Sequence, residues 1–156
     1  MVASNDVVTA VSVIANLALV ITVVFLAYQV KLQRNEIKRD SYDRLMSSFT
    51  SSVEFLASHP VIEKYLPSYK FNDPPKIVEE KLTVFYYLDM LISTFERVWT
   101  AKEEKRLYEN SWLYWRDWIK QLAANPIFVE HFNQNKKEYS PSFIAEVDGI
   151  INELKK

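Results

Sequence analysis

From Val7 to Tyr28 the chain runs 22 residues without a charged side chain, and no other feature narrows the choice of fold as far. At about 1.5 Å per residue a helix of that length covers about 33 Å, close to the roughly 30 Å hydrocarbon core of a bilayer. The run is read as an uncleaved membrane anchor. A cleavable signal peptide has a basic start, a shorter apolar core and a small-residue cleavage site. Here the only charge ahead of the run is Asp6, and YQVKLQRNEIK after it offers no such site. The predicted division is 1–6 as a short non-cytoplasmic N-terminus, 7–30 as the transmembrane helix, 31–41 as a charged stalk and 42–156 as a cytosolic helical domain.

Past the run the character changes at once. Lys31, Arg34, Lys38 and Arg39 fall within nine residues, with Glu36 the only acid among them. Basic flanks stay in the cytoplasm, so this cluster predicts that the short N-terminus crosses and the bulk of the chain remains inside. The same four cations are candidate contacts for anionic lipid headgroups. Within the run, Thr9, Ser12 and Asn16 stand three and four residues apart and share one helical face, which makes them candidates for helix association in lipid. An amide in hydrocarbon needs a partner, and Asn16 of a second copy is one.

The remaining residues read as helix. The chain has one Gly and no Cys, so tight hairpins, bulges, disulfides and thiolate metal sites all lack their usual material. Nineteen Lys and Arg against 20 Asp and Glu give a net charge of -1, without the basic excess of a nucleic-acid binder. No Pro or Gly interrupts Val7 to His59, so the anchor should continue as one helix to the His59-Pro60 junction. Tyr42, Leu45, Met46, Phe49, Val53 and Leu56 are its expected inner stripe. PVIEKYL reads as a helical turn or two, PSYKFND as a linker, and Asp73 with Pro74 as the start of a helix reaching Trp99. Its predicted face is Val84, Leu88, Leu91, Phe95 and Val98. Then come SWLYWRDWIKQLAAN with a Trp112, Trp115, Ile119, Leu122 stripe, and two helices opened by Asn125-Pro126 and Ser140-Pro141. Phe128 or Val129 with Phe132, and Phe143, Ile144, Val147, Ile150 and Leu154, are their inner faces. The fold class is therefore all-α: one transmembrane helix continuing as a stalk into an aromatic-rich helical bundle.

Chemistry leaves few candidates. Neither His59 nor His131 lies in a zinc or di-iron pattern, and phosphate loops or nucleophile elbows need more glycine than Gly149 alone supplies. No catalytic residue, cofactor or metal site is predicted. Asp89 is the one acid in a strongly apolar setting; it is a candidate groove residue, or a core acceptor for Tyr, Trp or Arg116. Glu96, Trp112 and Trp115 are candidates of the same kind. Gly149 within the last helix either weakens it or admits a close neighbour.

Leu26-Ala27-Tyr28-Gln29, His59-Pro60, Phe95-Glu96, Trp112-x-x-Trp115 and Ser140-Pro141-x-Phe143 occur here in that order. The layout resembles an uncharacterised prokaryotic family of single-pass membrane proteins with a small cytosolic helical domain. That resemblance spans nearly the whole chain and implies fold and topology, hence a bacterial or archaeal inner membrane, but no activity. The resulting expectation is a membrane-anchored, non-enzymatic interaction module whose partners are the bilayer and a protein or a second copy of itself, with no nucleic-acid polymer. The alternative is an oligomeric effector whose cytosolic domain senses a ligand, such as a nucleotide signal, and whose membrane helices form a pore or disrupt the bilayer.

Overall fold

The computed structural model describes residues 2–63, 65 and 77–155, the side chains of 2–8, 63 and 109 excepted. It holds six α-helices and one short 3-10 turn, with no strand among the described residues. With no Pro or Gly to break it, α1 runs Val2–Ser58. It stops where expected, because His59 precedes a proline, and α2 (Pro60–Glu63) starts with Pro60 in its first turn. Then follow α3 (Val78–Glu103), α4 (Glu109–Ala123), α5 (Pro126–Asn135), the 3-10 turn Lys136–Glu138 and α6 (Pro141–Leu154).

The chain divides into two units, Met1–Ile37 and Lys38–Lys156. The boundary falls inside the stretch read from the sequence as stalk. The first unit is helix throughout its described length.

In the second unit α3 is the central strut, touching α2, α4, α5 and α6. Val84, Leu88, Ile92, Phe95 and Val98 are fully buried on it, with Leu91 nearly so. This is the i, i+3/i+4 face that the sequence predicts. Around it the core is built of rings: Trp115, Phe128, Phe132 and Phe143 are fully buried. Trp115 stands edge-on to Phe49 at 5.3 Å and to Phe95 at 6.1 Å, and Phe132 meets Phe143 edge-on at 6.3 Å. Edge-to-face pairs at such distances add about 0.5–1.5 kcal/mol each beyond the area they bury.

Several expected details are corrected. The helix read from Asp73 begins instead at Val78, with Ile77 extended at φ -94 and ψ 129 as its N-cap residue. Asp73, Pro74 and the PSYKFND linker themselves lie outside the described residues. The C-terminal end of α3 passes Trp99 by another turn, and α4 starts at Glu109 rather than Ser111. Val53 is exposed, and Ser52 takes the inward position in its place. The inner face of this part of α1 runs through Ser41, Leu45, Ser48 and Ser52, and Val53 stands about 100° round from it. Leu154 is likewise exposed, with Ile151 buried in its stead. At Gly149 an added Cβ would meet nothing within 4 Å, so this glycine admits no close neighbour.

Candidate functional site

The first unit carries its apolar side chains outward. From Val11 to Val30 every large hydrophobic residue is exposed, by between 49% at Val30 and 68% at Ile14. Among the described residues one helix is long and apolar enough to cross a membrane, and it is this one. Ser12 and Asn16 are exposed on it, as is Thr9, so the three predicted association residues share a face among exposed aliphatic side chains. Thr22, by contrast, bonds back to its own helix, donating to the Ala18 carbonyl at 2.8 Å.

The four basic residues divide between the units. Lys31 and Arg34 are exposed in the first. Lys38 and Arg39 belong to the second, where Lys38 is half-buried with its ammonium 5.8 Å from the Tyr108 ring centre. Beside it Arg106 reaches Ser41 Oγ at 3.4 Å, which ties the α3–α4 turn to the start of this unit.

Asp89 is not bonded to Tyr, Trp or Arg116 as the sequence suggests. Its Oδ1 lies 2.6 Å from Nε2 of His131 on α5. A carboxylate only accepts, so Nε2–H donates. The imidazole is buried, packs on Phe85 with ring centres 4.5 Å apart, and has the Asn135 amide nitrogen 3.4 Å from Nδ1 and 3.2 Å from Nε2. Sequence reasoning passed over His131, yet a signal was present: it falls three residues after Phe128 and next to Phe132, on the buried face of a short helix. Arg116 instead joins α4 to α6 through Glu146 at 3.1 Å and Glu153 at 2.5 Å. These acids, the Glu153 hydrogen bond above all, raise the guanidinium further above its already high value.

Glu96 is a capping group. Its Oε1 accepts from the Ser140 backbone N–H at 2.6 Å, the part a Glu three residues into a helix plays in a capping box. Position N3 of α6 is Phe143, so the acid has to come from α3. Trp99 Nε1 donates to Ser142 Oγ at 3.0 Å, and Ser142 in turn donates to Glu103 at 3.0 Å. Glu96, Trp99 and Glu103 thus hold the first turn of α6, and the two acids sit where the helix dipole favours negative charge. Ser140 makes no side-chain cap bond, unlike Asn125, whose Oδ1 accepts from the Ile127 N–H at 2.9 Å as the sequence predicts.

Trp112 and Trp115 line no groove; both are core. Trp112 meets Trp99 edge-on at 4.9 Å, and the Lys102 ammonium lies 3.7 Å over the Trp99 ring. Trp115 is fully enclosed, its Nε1–H without an acceptor among the described residues. Burial pushes the Tyr87 phenol up to about 12. Tyr139 is also pushed to about 12, by burial first and then by the negative charges of Asp89, Glu138 and Glu96.

In comparisons with known proteins, no family model, no curated protein and no solved structure matches this chain.

Proposed function

We propose that the chain is a membrane-anchored, non-enzymatic helical interaction module, with residues 7–30 spanning a cytoplasmic membrane, the preceding residues outside and the helical domain inside the cell. One observation carries this reading: an uncharged run, Val11 to Val30, whose large hydrophobic side chains are all exposed. Soluble monomers rarely expose a contiguous apolar patch beyond a few hundred Å², and a lipid phase relieves that cost without any further protein. The helix satisfies its own backbone groups, as the hydrocarbon phase demands.

Orientation follows from Lys31, Arg34, Lys38 and Arg39 on one flank only. The interaction role is supported by what the polar side chains of the second unit do. Asp89 joins α3 to α5 through one carboxylate oxygen, Glu96 caps α6, and Arg116 bridges α4 to α6, so all three hold helices together. Ser12 and Asn16 add a polar seam through which two copies associate within the bilayer.

A topology reporter fused after Lys156 tests the reading in cells. It should behave as cytoplasmic; periplasmic behaviour would end the proposal.

A further inference from the structure

Where α1 passes α3 in the second unit, the two helices face each other with small residues, and the missing bulk leaves a hollow. Ser48, Ser51 and Ser52 stand on α1 at i, i+3 and i+4, while Asp89, Ser93 and Arg97 stand on α3 at intervals of four. The hollow holds about 390 Å³ and is shallow and broadly open to solvent, a size within the usual range for small-molecule pockets. Ser48 and Thr94 form its floor, their hydroxyl oxygens 3.1 Å apart. Thr94 gives its proton to the Met90 carbonyl and Ser51 to that of Ser47, so their oxygens offer the hollow acceptor lone pairs, while the exposed Ser93 hydroxyl has no partner among the described residues and can donate.

Two charged groups, Arg97 and Asp89, line this hollow together with Tyr86 and Met90. Arg97 has no acid to pair with among the described residues, although Arg44, Arg106 and Arg116 each have one. Its neighbour Glu96 is turned away to cap α6. A guanidinium open to solvent beside hydroxyls is the standard arrangement for binding an oxyanion in two-point fashion. His131 holds only Oδ1 of Asp89, and the second carboxylate oxygen is left to accept from a ligand hydroxyl. Asp89 and Arg97 are eight residues apart, about 12 Å along the helix axis, and the backward lean of helical side chains brings the guanidinium nearer. Tyr86 at the rim is 65% exposed and presents a ring face.

We propose that this hollow binds a small phosphate monoester bearing vicinal hydroxyls, with the phosphate on Arg97 and Ser93 and the hydroxyls on Asp89. A sugar phosphate and a nucleotide share that chemistry; Tyr86 stacks on the base of the latter. The site stands independently of the membrane reading, since every residue in it belongs to the second unit.

The test is calorimetry on the full chain in detergent with ribose 5-phosphate, adenosine monophosphate and inorganic phosphate as probes. Either ester should bind saturably in the millimolar range or tighter, and more tightly than inorganic phosphate. Arg97→Gln should weaken binding roughly ten- to hundredfold, as expected for a lost charged hydrogen-bond partner. Ser93→Leu should fill the trough and abolish binding. Both positions are exposed, so the fold should survive, as far-UV circular dichroism would confirm; Arg44→Gln, away from the hollow, should bind as wild type. A nucleotide preference lost in Tyr86→Ala identifies the nucleotide, and equal affinity for the two esters identifies the sugar phosphate. No saturable binding of either ester, equal binding of inorganic phosphate, or unchanged affinity in Arg97→Gln overturns the proposal.

Discussion

The two units spend similar side chains in opposite ways. Between Val11 and Val30 leucine, isoleucine and valine point outward, whereas between Val84 and Val98 they are fully buried under rings from α4, α5 and α6. Both stretches are helical and both are apolar. What separates them is the polar punctuation. Residues 84–98 carry Asp89, Glu96 and Arg97 on the flanks of an apolar stripe, which directs that stripe inward, while the first run has no charged side chain and shows only Ser12, Asn16, Thr22 and Gln29 among its apolar ones. A helix without a charged face needs a largely apolar surround, and among the described residues the second unit builds one from protein.

The largest effect expected from this contrast is in the core. Trp115→Ala should cost about 3–5 kcal/mol in denaturant unfolding of the second unit, because it empties the space that Phe49 and Phe95 close around. Leu19→Ala should leave that transition where it was. An equal loss at both positions would erase the distinction between the units.

A smaller effect tests the polar fastening. Glu96→Ala removes the acceptor of the Ser140 N–H and should cost about 1–3 kcal/mol, with amide exchange accelerated first in α6. The alkaline limb tests burial of the phenols. Tyr87 and Tyr139 keep their protons to about 12 when folded, against about 10 in the unfolded chain. The unfolded chain therefore ionises first, and stability is complete below pH 10 and falls as pH rises from 10 towards 12. Phenolate absorbance followed together with unfolding should show this, and Tyr87→Phe should make the fall shallower. Smallest is Gly149→Ala, which should stabilise α6 by about 0.5–1 kcal/mol, since the position is helical and exposed and the added methyl meets no neighbour.

Local signals were legible in the sequence. The long apolar helix, the stop at His59-Pro60, the Asn125 cap and the faces of α3 and α4 follow from spacing and from the chemistry of single residues. What escaped is long-range. The partner of Asp89 lies 42 residues away on α5, and the acid capping α6 lies 44 residues before it on α3. No local pattern encodes such pairings; they exist only once the helices have packed. The start of α3 at Val78 follows from the extended backbone of Ile77, which no local residue pattern marks. The inward serines of α1 escaped because a hydrophobic stripe is sought among apolar residues, and Ser41 and Ser52 are buried as small ones.

The function proposed above requires the first unit to sit in lipid. Alkaline carbonate extraction of membranes from cells expressing the full chain measures that need directly. The chain should stay with the membrane pellet, and replacing Val20 and Val23 by arginine should move it to the soluble fraction or to aggregates. A wild-type chain recovered in the supernatant before any extraction would contradict the account.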